Sequence, residues 1–158
     1  MRSYQVFAAM SPDLAVSVMS GISKDSPQMY KQALLAASAS MNARPVYIQK
    51  LPFEKQVAAV RRTLSRVAAN GVAEEILAIY FLECRKDLLT EWLDLLGLKH
   101  EDGILEADSP AAPKKAALKK ARDAFCKADD DADRPLLLSA FAAQSAIEWP
   151  DLEALLDG

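Results

Sequence analysis

One stretch decides the fold of this chain: Ile76-Leu77-Ala78-Ile79-Tyr80-Phe81-Leu82. Seven apolar residues in a row cover the whole circumference of a helix, and a helix with that property is buried on all sides. The residues that follow, 88–96, continue as an amphipathic helix rich in leucine. We therefore predict one central helix over about 73–96, with a bend near Lys86-Asp87.

Helix signals recur on either side of this stretch. Ser11 precedes Pro12, which places a capping hydroxyl before a proline at the first helical position. Asn70-Gly71 and Gly97 favour helix ends, because these residues adopt the left-handed conformation that closes a helix. Residues 46–49 follow a proline and are predicted as an extended connector. With the apolar spacing, these signals predict helices over 12–22, 27–42, 53–69, 73–96, 113–128, 134–147 and 150–156.

The helix predicted over 53–69 carries one apolar stripe. Its residues recur at steps of four and three and are Phe53, Val57, Val60, Leu64 and Val67. Composition supports the same fold class, because alanine is abundant and there are only five glycines in 158 residues. We therefore expect an all-α single domain over 1–158, a bundle of six or seven helices with an internal linker at 100–112.

Formal charge is arranged in alternating blocks that the net charge of −3 conceals. Residues 44–71 carry six basic side chains and one acidic, and residues 72–108 carry ten acidic and three basic. Residues 109–127 again carry six basic and one acidic, whereas 128–158 carry eight acidic and a single base, Arg134. Such blocks can pair helices with each other, dock a partner or attract a polyanion.

The basic blocks supply most of the candidate binding residues. The arginines of the first block lie opposite the apolar stripe, and the second block places basic residues on one face of the 113–128 helix. Trp149 is a further candidate, because buried tryptophans often anchor interfaces. The predicted binding residues are Arg61, Arg62, Arg66, Lys115, Lys119, Arg122 and Trp149.

Patterns that would indicate catalysis or metal binding are incomplete. His100-Glu101-Asp102 is interpreted as a polar loop, because three adjacent loop residues cannot all face one ion. Asp129 to Asp133 begins with the carboxylate spacing of a calcium loop, but Arg134 replaces the glycine that such a loop needs at its turn. We predict an acidic helix start there, and no catalytic residue, metal site or cofactor. Cys84 and Cys126 are predicted to be free thiols.

The expected function is a non-catalytic helical module for protein–protein interaction or self-association, with another protein or a second copy of the chain as partner. A nucleic-acid binder that uses segments 44–66 and 114–127 is an alternative, which the acidic pI of about 5.2 disfavours. A small-ligand sensor or enzyme with a pocket between helices is another, with His100, Glu101 or Tyr80 as polar groups. We expect a cytoplasmic, bacterial-type protein without a membrane partner, because the longest apolar run is much shorter than the roughly 18 residues of a spanning helix.

Overall fold

Helices make up most of residues 1–157, the part of the chain that the computed structural model describes. Within that part ten α-helices and one two-stranded hairpin are present, which confirms the all-α prediction. A 3-10 turn (Val67–Ala69) follows the fifth helix and a π turn (Tyr80–Cys84) follows the sixth. The helices are α1 Ser3–Ala9, α2 Pro12–Asp25, α3 Pro27–Ser40, α4 Pro45–Gln49, α5 Phe53–Leu64, α6 Asn70–Ile79, α7 Lys86–Leu95, α8 Lys115–Lys127, α9 Asp133–Ala142 and α10 Pro150–Asp157. The strands are β1 His100–Glu101 and β2 Ile104–Leu105.

The helices form two packed groups, which meet at α6, at the π turn between α2 and α7, and where α1 packs against α9. In the first group α3 packs against α2, α4 and α5, and in the second α8 packs against α7, α9 and α10. Helix α6 contacts α1 and α5 on one side and α9 on the other. Buried apolar side chains from both groups form one continuous core. The apolar stretch that begins at Ile76 therefore lies at the centre, as predicted.

The predicted central helix is interrupted, and this corrects the expectation of one helix over 73–96. After α6 the chain widens into the π turn, in which the amide of Arg85 donates to the carbonyl of Tyr80 at 3.2 Å. Arg85 then leaves helical geometry, with φ −134° and ψ 46°, before α7 starts at Lys86. The break falls beside the bend that Lys86-Asp87 suggested. The expectation of burial on every side also fails, because Ala78 is exposed and Leu82 is half-buried.

Two other segments differ from prediction. Asn70 begins α6 instead of ending a helix, and its side-chain oxygen accepts the backbone N–H of Tyr4 at 3.0 Å. That contact docks α1, a helix that the sequence analysis missed. Residues 46–49 belong to the short helix α4, in which Ile48 is fully buried.

The apolar stripe of α5 is confirmed in part. Val57, Val60 and Leu64 are buried against α1, α2 and α3. The helix ends at Leu64, earlier than predicted, so Val67 falls in the 3-10 turn and is 61% exposed.

The segment 100–112 contains the hairpin. His100 pairs with Leu105 and Glu101 with Ile104. Asp102 and Gly103 both have positive φ, 52° and 92°, as the two central residues of a tight hairpin turn require. The expected linker is therefore partly ordered by strand pairing.

Candidate functional site

A groove of about 660 Å³ runs between α5 and the first two helices and contains two of the predicted arginines. Its floor includes the buried side chains of Val57 and Ala15, and small apolar residues make up most of its surface. The arginine groove is defined by Ala8, Pro12, Asp13, Ala15, Val16, Glu54, Val57, Ala58, Arg61, Arg62 and Ser65. Because these apolar side chains are short, another backbone can approach closely.

Arg61 and Arg62 occupy the groove in different ways. Arg61 lies across it, and its Nη2 donates to the carbonyl oxygen of Ala8 at 3.3 Å. The Nε atom of Arg61 is buried and has no hydrogen-bond partner among residues 1–157. Arg62 is exposed. The groove therefore combines one half-buried guanidinium that is anchored to α1 with one that is exposed to solvent.

Arg66 lies beyond the end of α5. Its Nη1 donates to the hydroxyl of Ser40 at 2.9 Å, which links the α5 end to the C-terminal end of α3. Beside these two residues Met41 and Val67 are 40% and 61% exposed. The structure thus places Arg61 and Arg62 in one groove and directs Arg66 to the neighbouring helix end.

The second basic segment belongs to the other helix group. Lys115 and Lys119 are exposed on α8, whereas Arg122 is half-buried and donates to the carbonyl of Leu155 at 3.0 Å. Helix α5 packs against α1, α2, α3 and α6, and α8 packs against α7, α9 and α10. The two basic helices therefore have different neighbours.

Trp149 is part of the core. It is only 4% exposed, its ring lies 5.3 Å from that of Phe141, and its indole N–H donates to the carbonyl of Pro110 at 3.0 Å. This burial attaches α10 to α9 and to the 100–112 segment. Trp149 therefore lies outside the candidate surface.

A cluster of charged side chains that the sequence analysis did not identify joins the π turn to α9. Arg85 donates to Oδ2 of Asp133 at 2.9 Å and lies 2.9 Å from Oδ2 of Asp131. It also pairs with Asp87 at 3.2 Å. Oδ2 of Asp133 accepts a second hydrogen bond, at 2.6 Å, from the hydroxyl of Tyr80. The acidic run 129–133 thus neutralises an arginine from 48 residues earlier in the chain.

Arg134 completes the cluster from the other side. It is buried, pairs with Glu91 of α7, and donates to Asp129 at 2.9 Å. Its guanidinium also lies 4.9 Å from the ring centre of Phe125. A signal for Arg134 was visible in the sequence, because Arg134 is the only base of its acidic block, whereas Arg85 is one of three bases in its block. Minority charges of this kind are candidates for internal pairing.

These ion pairs and hydrogen bonds shift the pKa values of three side chains in the cluster. The hydrogen bond from Arg85 holds the pKa of Asp131 below its ordinary value, and Arg134 does the same for Asp129. Burial, together with the hydrogen bond to Asp133, raises the pKa of Tyr80. Asp129 and Asp131 are therefore held in their ionised form by the arginines that they pair with. Asp131 also accepts the backbone N–H of Asp133, the first residue of α9, at 3.0 Å.

His100 supports the hairpin. Its Nδ1 accepts the N–H of Gly103 at 3.1 Å, which leaves Nε2 to donate to Asp94 at 2.7 Å. Among residues 1–157 no group of three or more histidine, cysteine or acidic side chains is arranged to hold a metal ion. Cys84 and Cys126 are free thiols, as predicted. Burial, and then the carboxylate of Asp25, raises the pKa of Cys84 to about 12.

Comparison with known proteins adds no relative: no protein-family model, curated protein or solved structure matches this chain. None of the helices within residues 1–157 combines the length and the apolar character that crossing a membrane requires.

Proposed function

We propose that this protein is a non-catalytic interaction module that binds an acidic helical segment of a partner protein in the arginine groove. The observation that carries the proposal is the placement of Arg61 and Arg62 in one groove beside the buried apolar side chains of its floor, with Arg62 exposed. A carboxylate that pairs with an exposed guanidinium forms a charge-assisted hydrogen bond while apolar side chains pack beside it.

The floor of the groove supports a helix as the bound element. Ala8, Ala58 and Val16 present small apolar surfaces, on which a helix with alanine or leucine on one face packs closely. Charge complementarity then comes from Arg61 and Arg62. Rim charges of this kind act mainly on orientation and association rate, and buried contacts supply most of the affinity.

Nucleic acid is a weaker candidate for this groove. Asp13 and Glu54 line it together with the two arginines, and their carboxylates repel a uniformly charged phosphate backbone. A partner that alternates acidic and neutral positions avoids that repulsion. The proposal also places the protein in a reducing cytoplasm, where two free thiols are stable.

A designed peptide tests the proposal directly. The probe is a fluorescent amphipathic helix with glutamates on its polar face and alanine and leucine on the other, and its control carries lysine at each glutamate position. We expect the acidic peptide alone to bind, with an affinity that falls as salt is added.

Matched variants of the protein assign that binding to the groove. R61Q/R62Q removes the groove charges, and K119Q/K120Q removes the same charge from exposed positions of α8. We expect the first pair to weaken peptide binding about tenfold and the second to leave it nearly unchanged. Equal effects of the two pairs would contradict the groove as the site. Light scattering separates a further outcome, because a dimer that only R61Q/R62Q dissolves would identify a second copy as the occupant.

A further inference from the structure

A second cavity, unrelated to the arginine groove, lies under the hairpin. It has a volume of about 230 Å³, opens to solvent on one side and is lined by residues of α6, the π turn, α7, the hairpin and α9 and by Gln144. Its walls are apolar, with Phe81 and Leu82 from the π turn and Leu89 from α7. Gln144, just after α9, is the one polar side chain among the residues that line it.

The break in the central helix borders this space. The π turn places Phe81 in the core and leaves Leu82 only half-buried, so that both line the cavity. Local π turns of this kind occur frequently at functional sites. The deviation from a regular helix therefore coincides with an apolar cavity.

The hairpin covers the opening with its backbone. Gly103 has φ 92°, and a Cβ at this position would lie 2.9 Å from Cδ2 of Leu89. A larger residue here would be strained by the positive φ and would push the end of the Leu89 side chain aside. Next to it Ile104 is 61% exposed, so the mouth of the cavity presents an apolar side chain to solvent.

The size and the lining of the cavity define its occupant. Apolar protein cavities of about 150 Å³ remain dry and bind molecules such as benzene. By that scale a cavity of 230 Å³ accommodates roughly nine non-hydrogen atoms. The amide of Gln144 can hydrogen-bond with one polar group on such a molecule.

We propose that this cavity is a binding site for a small aromatic or short aliphatic molecule that carries a single hydrogen-bonding group, which Gln144 recognises. The site is separate from the arginine groove, so the two proposals stand or fall independently. Indole, which has nine non-hydrogen atoms and one N–H, is a suitable probe, and toluene is the comparison without a hydrogen-bonding group.

Calorimetric titration of the full chain with indole tests the site. The same titration is made with variants whose larger side chains occupy the cavity. A140L places extra volume at a buried wall position, and A78L does so at an exposed rim position that tolerates a larger side chain. A117L adds the same atoms to an exposed position of α8 and is the control. We expect indole affinity to fall at least about tenfold in A140L and A78L and to be unchanged in A117L.

Replacing the amide examines recognition of the polar group. In Q144L we expect the affinity for indole to fall about three- to tenfold, which is the effect of one lost hydrogen bond. The affinity for toluene should stay the same or rise slightly. R61Q/R62Q is expected to bind indole as the parent protein does. Absence of binding by both probes, or equal indole affinity in the parent, A140L and A78L, would overturn the proposal.

Discussion

The hydroxyl of Tyr80 donates a 2.6 Å hydrogen bond to Asp133, which lies 53 residues further along the chain. Both side chains are buried, at 4% and 5% exposure. The bond joins the π turn to the first residue of α9, and Arg85 donates to the same carboxylate oxygen. Asp133 is thus one of the residues through which the interrupted central helix is attached to the C-terminal part of the fold.

Replacing Asp133 tests the strength of this attachment. In D133A the buried hydroxyl of Tyr80 loses its acceptor and Arg85 loses one of its carboxylates, so we expect the free energy of unfolding to fall by about 3 kcal/mol. Urea denaturation measures the loss. D130A, in the same acidic run but at an exposed position, is the matched control, with an expected change within about 0.5 kcal/mol. Equal stability of the two variants would show that the buried cluster contributes nothing.

Acid should weaken the fold through the same cluster. The pKa of Asp131 lies below its ordinary value in the native state because Arg85 donates to its carboxylate. A group with a lowered native pKa stabilises the fold above its unfolded pKa and loses that contribution as the pH falls through the native pKa. We therefore expect the unfolding free energy to be constant near neutrality and to decrease from about pH 5 downward.

The variant D131N identifies the contribution of this group to the acid response. Without the ionisable carboxylate, the slope of unfolding free energy against pH should be shallower below pH 5 than in the parent. D130N provides the comparison at an exposed neighbour. If the slope of unfolding free energy against pH is the same in D131N as in the parent, the acid sensitivity comes from other groups.

Two glycines give opposite predictions for the same substitution. A Cβ on Gly21 would lie 3.1 Å from Cε1 of Tyr80 and 3.2 Å from Sγ of Cys84. The bond to Asp133 holds the Tyr80 ring in place, so G21A is expected to destabilise the fold by about 1 kcal/mol.

Gly71, in α6, has no heavy atom within 4 Å of such a Cβ among residues 1–157. G71A is expected to stabilise the fold by about 0.5 kcal/mol, because alanine restricts the unfolded chain. Thermal unfolding of G21A and G71A measures the change in stability of each variant. A stabilising effect of G21A would mean that the Tyr80 side chain can shift to accommodate the added methyl group.

Trp149 should act as a structural anchor. W149A removes a buried indole that packs on Phe141, and the expected cost is about 3–5 kcal/mol. W149F keeps most of that packing and loses only the hydrogen bond to Pro110, so its expected cost is about 1 kcal/mol. Chemical denaturation measures both changes. A near-neutral W149A would indicate that α10 is only loosely attached to the body.

The elements that depend on local signals were predictable from the sequence. Helices α2, α3 and α10 begin at Pro12, Pro27 and Pro150, where proline at the first helical position is favoured. The buried stripe of α5 followed from its spacing, and Gly97, with φ 70°, ends the α7 segment as expected.

The elements that depend on distant partners were not predictable. The segment 80–85 has helical character by itself, and its departure from a regular helix involves Asp133 and Gly21, which are far away in the chain. The arginine groove was found only in part, because helical spacing placed Arg61 and Arg62 on an outer face but could not reveal Ala8 beside them.

The charge cluster also has a consequence for synthesis. Tyr80, Arg85 and Glu91 are made well before the 129–134 segment with which they pair. Domains begin to fold from their N-terminal side while they are still being translated. Until Asp133 and Arg134 emerge from the ribosome, Tyr80, Arg85 and Glu91 in the middle of the growing chain therefore lack these partners. The final packing of its central helices must then wait for nearly the whole sequence to be translated.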